Sequence, residues 1–113
     1  MSARTVFAAS GIVLSLAFAP GALAGGKAEA GRAKAAQVCA ACHGADGAKP
    51  SAPDQPILAG QYYDYLVKAL SDYKIGKRNN AIMKGFAAGL SRQDMEDLAA
   101  WFSGQKSSLH FQR

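Results

Sequence analysis

From residue 27 onward, apolar positions recur at intervals of three and four, never at two over any length, which predicts helices and no strands. The first expected helix covers residues 27 to about 41, rich in alanine with Lys and Glu on its exposed side. Gly31 inside it costs stability. Either it admits a second helix at close range or it is an irregularity near the helix start. Residues 44–56 carry Gly44, Gly47, Pro50, Pro53 and Pro56 and read as a loop. The second helix is expected over residues 61–73, where Tyr62, Leu66, Ala69, Leu70 and Tyr73 form one apolar stripe before Gly76 ends it. Residues 77–89, with Asn79, Asn80 and Met83, read as a second loop. Ser91 and Asp94 have the spacing of a capping box and open the third helix, with Met95, Leu98, Ala99 and Phe102 as its buried stripe. Gly104 stops it, and the tail from Lys106 is polar.

The first 24 residues have a different pattern. Arg4 precedes an apolar run over residues 6–19, and Ala22-Leu23-Ala24 is a small-x-small site. That is the layout of a secretory signal peptide cut after Ala24. A membrane anchor is the competing reading, but the run falls short of the roughly 20 apolar residues a spanning helix needs. Residues 25–113 would then form one domain, exported to the periplasm with no stable membrane anchor. Without Arg4 the chain keeps 12 basic and eight acidic residues, a formal charge of +4. The excess is small and interleaved with acid, which argues against nucleic acid and allows an acidic protein partner. Eighty-nine residues supply little core, so a staple is expected.

The staple is legible in Cys39-Ala40-Ala41-Cys42-His43, which uses the chain's only two cysteines. Two thiols two residues apart, followed directly by histidine, form the attachment site of a c-type haem. Each thiol can form a thioether with one porphyrin vinyl group, and His43 then presents an imidazole to the iron. A thioredoxin-like redox pair would sit between a strand and a helix, whereas helical sequence precedes this motif. A zinc site would need more ligands nearby than His43. The two long loops then acquire a task, the lining of one haem.

His43 leaves one axial position to fill. Met1 departs with the signal, Met95 lies in a packing stripe, and His110 sits in the tail. Met83, flanked by Asn79, Asn80 and Gly85, is the favoured sixth ligand, with gap-filling in the core as the alternative. A Met/His pair saturates the iron and raises its potential. The His43 Nδ1–H needs a carbonyl acceptor that fixes the tautomer. Pro56 is the candidate, because proline stiffens the backbone around its carbonyl, although an ordinary turn proline reads the same. Arg78 or Gln61 is placed to bond a haem propionate.

These residues resemble the small class I cytochromes c of bacteria, similar in particular to the periplasmic cytochrome c-553 type and to one half of the dihaem cytochromes c. The resemblance spans residues 25 to about 106. It rests on Gly31, the Cys39–His43 motif with Gly44, the run Pro56-Ile57-Leu58-Ala59-Gly60-Gln61, Tyr65-Leu66, Gly76-Lys77-Arg78, Met83 with Ala87-Ala88-Gly89-Leu90-Ser91, and Asp97 to Phe102. It implies an all-α class I cytochrome c fold, three main helices and long loops wrapped around one covalently attached haem c. It implies Met83 as the axial ligand, Pro56 as the acceptor for His43, and first and last helices crossing near Gly31 and Trp101. Relatives often carry proline and a second methionine where this chain has Ala81-Ile82, which implies a somewhat looser ligand loop.

Such a chain is an electron carrier rather than an enzyme, moving one electron between redox protein partners. No acid–base pair is visible, and Asp94, Glu96 and Asp97 read as a charge cluster at a helix N-terminus. Lys49, Lys77, Arg78 and Lys84 either ring the haem edge or are scattered solvated charges. The alternatives are a cytochrome subunit of a larger dehydrogenase or oxidase and a ligand-binding haem protein with an open sixth site.

Overall fold

The computed structural model describes residues 25–108. The segment read as a signal peptide, and His110 in the tail, lie outside the described residues. The described chain runs α1 (Ala28–Val38), α2 (Ala40–His43), α3 (Tyr63–Lys74), α4 (Ala81–Ala88) and α5 (Arg92–Ser103), with no strand among the described residues.

α1 and α5 cross at Gly31. A Cβ built there would stand 1.9 Å from the Asp97 carbonyl oxygen and 2.9 Å from the Trp101 Cβ. Gly31 is therefore a close-approach glycine, and the two helices meet nearly backbone to backbone. The start of α1 depends on this crossing. Its N-cap, Lys27, makes no side-chain cap. Its backbone N–H instead donates to Asp97 Oδ1 at 2.6 Å, and Gln93 Nε2 donates to the same oxygen at 2.8 Å. Asp97 is buried. The sequence reading grouped it with Asp94 and Glu96 as helix-start charge, but it satisfies the orphan donor of a different helix.

The core comprises Ala35, Leu66, Leu90, Met95, Leu98, Ala99 and Phe102, with Cys39, Leu58, Tyr63, Val67, Leu70 and Trp101 half-buried against it. The expected stripe of the last helix is all present in it. Ser91 caps α5 as a full capping box, its hydroxyl accepting from the Asp94 N–H and the Asp94 carboxylate accepting from the Ser91 N–H. The expected stripe of the second helix turns inward at Leu66 in the core, at Leu70 against it and at the half-buried Ala69 and Tyr73, and departs only at its start. Tyr62 lies outside α3 and is exposed, while Tyr63 and Val67 turn toward the core.

The second expected loop is overturned. Residues 81–88 are helix α4, so a fourth helix of two turns joins the three main ones. Asn79, Asn80 and Gly85 looked like turn residues, yet Asn80 is the N-cap and its Oδ1 accepts from the Met83 N–H at 3.0 Å. Ile82, Met83, Phe86 and Ala87 do recur at helical spacing, but Gly85 and the paired asparagines signalled a loop, and only Ala87 of α4 is buried. The first expected helix is also divided. α1 ends at Cys39, and the single turn α2 carries the rest of the motif.

Candidate haem site

The Cys-x-x-Cys-His motif occupies the junction of α1 and α2. Cys39 is the C-cap of α1, and Cys42 and His43 lie in the turn that follows. Both thiols are free and half-buried. Burial, and after it the neighbouring Cys42, push the Cys39 thiol up to about 11. At neutral pH it is a protonated thiol rather than a thiolate.

The loop after the motif is folded back on itself. The Ser51 N–H donates to the Cys42 carbonyl at 2.9 Å, and the Leu58 and Ala59 N–H groups both donate to the Gly47 carbonyl. Gly47 has φ +75°, and a Cβ there would sit 2.7 Å from Phe102, so only glycine fits this turn against α5. Trp101 Nε1 donates to the Ala45 carbonyl at 3.0 Å and ties the loop to α5 a second time. Gln55 Oε1 accepts from the Ser51 and Ala52 N–H groups and from the Ser51 hydroxyl, which shapes the approach to Pro56.

This loop delivers the Pro56 carbonyl to His43. The imidazole is buried, and its Nδ1 lies 2.9 Å from the Pro56 oxygen. A carbonyl only accepts, so Nδ1 carries the proton and Nε2 keeps its lone pair. Cys39, Cys42, His43 and Pro56 line a cavity of about 450 Å³ together with Met83, which α4 contributes. Leu58, Leu66, Leu70, Ile82, Phe86 and Phe102 give the cavity an apolar wall. Its volume falls within the roughly 300–1,000 Å³ usual for a cofactor pocket. Met95 is buried in the core, as its stripe predicted, and is not part of this lining.

Arg78 is the one Lys or Arg side chain among the lining residues, and Asp54 the one carboxylate. Arg78 Nη1 donates to the Tyr65 hydroxyl at 3.0 Å, and the guanidinium lies 4.9 Å from the Tyr73 ring centroid. The Tyr65 bond holds the guanidinium above its ordinary value. Gln61 also lines the cavity, with its Oε1 accepting from the Tyr62 N–H. Lys49, Lys77 and Lys84 are exposed and are not among the lining residues. Sequence reasoning missed Tyr65 and Tyr73 as partners of Arg78 because nothing in their spacing signals a bracket around a guanidinium. It missed Asn80 although its signal was present, a capping residue three positions before Met83.

Two thiols, an imidazole with a free Nε2 and a thioether therefore share one apolar cavity with one cationic side chain. That donor set fits a covalently tethered porphyrin with two carboxylates. The sequence pattern of the cytochrome c family matches residues 28–106. This chain belongs to the cytochrome c family. Its cofactor is accordingly haem c, attached at a Cys-x-x-Cys-His motif, and its fold is the class I cytochrome c fold. The domain is 51% identical over 98 residues to cytochrome c4 of Pseudomonas aeruginosa, a match covering 87% of this chain and 48% of that protein. It is 44% identical over 71 residues to cytochrome c-554(548) of Halomonas halodenitrificans, covering 60% of this chain and 84% of that protein. The crystal structure of reduced recombinant cytochrome c4 from Pseudomonas stutzeri superposes with a TM-score of 0.67 at 47% identity, covering 74% of this chain and 48% of that one. The chain thus spans about half the length of the cytochrome c4 relatives it matches.

Proposed function

We propose that this chain is a periplasmic electron carrier that passes one electron between redox protein partners and performs no bond chemistry of its own. The observation that supports it most is the placement of Met83 on the same cavity as Cys39, Cys42 and His43. When bound, haem c supplies the one-electron couple. Cys39 and Cys42 would tether it as thioethers, His43 Nε2 and the Met83 sulfur would hold its iron, and the Pro56 carbonyl holds the imidazole in the tautomer that ligation requires. Arg78, braced by Tyr65 and Tyr73, meets a propionate. The apolar wall keeps water away from the metal, which favours the reduced state. Residues 1–24 act as a signal peptide cut after Ala24, and residues 25–113 form the monohaem domain. No helix among the described residues is long and apolar enough to cross a membrane.

Absorption spectra of the purified protein in both oxidation states test this reading. Reduced protein under carbon monoxide is expected to keep its spectrum. Met83→Ala is expected to give high-spin iron, lose the ferric thioether charge-transfer band and bind carbon monoxide. An unchanged ferric band in that variant overturns the ligand assignment. Release of the pigment by acidified acetone overturns the thioethers.

A second reading, a cytochrome subunit held in a larger redox enzyme, draws support from the likeness to the thiosulfate dehydrogenase electron acceptor of Stutzerimonas stutzeri, 43% identical over 72 residues. Size exclusion of native material separates the two, since a free carrier elutes alone.

A further inference from the structure

α4 carries Met83, and little within the helix itself sustains it. A helix of eight residues cannot sustain itself in water. Ala87 is its one buried residue among those described, and Ile82, Met83 and Phe86 line the cavity instead of the core, so this side of α4 depends on the cofactor for cover. Gly85 sits in its interior, where glycine costs about 1 kcal/mol relative to alanine. No acidic side chain occupies its first turn and no basic one its last, so the helix dipole is uncompensated.

The first turn is closed at one residue. Asn80 is extended at φ −162° and ψ 112°, its Oδ1 accepts the Met83 N–H at 3.0 Å, and its carbonyl accepts the Lys84 N–H at 2.9 Å. The amide that receives the cap belongs to the residue whose side chain lines the cavity. Asn80 is exposed and outside the protein core but also lines the cavity, so variants that keep its acceptor are needed beside one that removes it.

We propose that Asn80 is a positioning residue for the Met83 thioether, acting through the Met83 backbone. The proposal rests on the reading of Met83 as the axial ligand. With the cap in place, the first turn of α4 holds Met83 at the cavity, where its sulfur would meet the iron. Without it the turn frays, the sulfur withdraws for a larger fraction of the time, and a competing ligand enters during those openings. The cap therefore governs how closed the sixth position is, and a side chain that restores the acceptor restores closure.

The test compares the oxidised holoprotein with Asn80→Ala, Asn80→Ser and Asn80→Asp, and with Met83→Ala as reference. Imidazole is the probe ligand. Asn80→Ala is expected to speed imidazole binding about fivefold, the factor that corresponds to the ~1 kcal/mol of a lost cap. It is also expected to weaken the ferric thioether band and raise amide exchange at Met83. Asn80→Ser and Asn80→Asp are expected to stay within about twofold of the parent, because both retain the acceptor. If Asn80→Ala exposes the Met83 amide but leaves imidazole binding and the band unchanged, the cap is structural only and the proposal fails. The same holds if Asn80→Ser binds imidazole as fast as Asn80→Ala. If Met83→Ala keeps the band, the ligand assignment has failed instead, and the coupling falls with it.

Discussion

Gly31 does its work by lacking a side chain. Replacement by alanine improves intrinsic helix propensity by about 1 kcal/mol. It also drives a Cβ to 1.9 Å from the Asp97 carbonyl oxygen, a backbone atom that no rotamer change can move aside. The clash wins, because the helices must separate and the Lys27-to-Asp97 hydrogen bond that starts α1 is stretched with them. Gly31→Ala is expected to destabilise the holoprotein by about 1–3 kcal/mol in guanidinium unfolding. An unchanged midpoint would contradict the backbone-to-backbone crossing. Pro56 makes the opposite case. Its contribution to His43 is a backbone carbonyl, which survives substitution. Pro56→Ala is expected to keep the His43 bond and cost only about 0.4–1 kcal/mol through the looser unfolded chain. The His43 Nδ1 proton should remain slow to exchange by NMR. Its rapid exchange in that variant would mean that proline stiffness, not the carbonyl alone, sustains the contact.

α5 is the element whose start the sequence announces most clearly, and its cap sets a pH response. The Ser91 backbone N–H, then the Ser91 hydroxyl and Lys34, hold the Asp94 carboxyl below the usual 3.8. A depressed folded-state value means that the stabilisation is complete above that usual value and is lost as pH falls through the lower one. The stability difference between the parent and Asp94→Asn is expected to be level above about pH 5 and to vanish in strong acid. Its plateau should be about 0.3–1 kcal/mol, the range of a charge in a helix's first turn. Urea unfolding of both proteins across pH 2–7 measures this, and a difference that grows on acidification would contradict it. Ser91→Ala removes the other half of the box and is expected to cost about 1 kcal/mol by the same measurement. The capping box was legible because both partners lie within four residues of sequence. The N-cap of α4 was equally local, and Ile82, Met83, Phe86 and Ala87 followed it at helical spacing, but Asn79, Asn80 and Gly85 also carry the signature of a loop.

At the scale of the whole molecule the cavity dominates. Leu98 is the largest fully buried side chain among the described residues, and Leu66, Leu98, Ala99 and Phe102 of the core also line the haem cavity. Exposing the apolar wall of this cavity to water costs about 25 cal/mol per Å². The apolar face of the haem c offsets that cost when it occupies the cavity. The chain with Cys39→Ser and Cys42→Ser, expressed without attached haem, is therefore expected to lose most of its far-UV helical signal and any cooperative thermal transition. A haem-free chain with native helicity and a sharp melt would show that the polypeptide closes this core unaided.

Local chemistry settled a large part of this protein without its fold. The Cys39–His43 motif names its cofactor because thioether attachment and ligation need those three side chains within five residues, and Ser91 with Asp94 marks a helix start for the same reason of reach. Periodicity placed the last helix and its buried face, since Met95, Leu98, Ala99 and Phe102 all turn to one side. Tertiary structure decided whatever depends on partners far apart in the chain. It put Asp97 under the start of α1, turned Gly31 from an irregularity into a crossing, and brought Tyr65 and Tyr73 to Arg78. It carried the Pro56 carbonyl thirteen residues back to His43. Spacing along a chain carries information only over the few residues that one helical turn or one loop can join. Contacts across tens of residues are chosen by how the helices pack, and here they pack around the space a porphyrin fills.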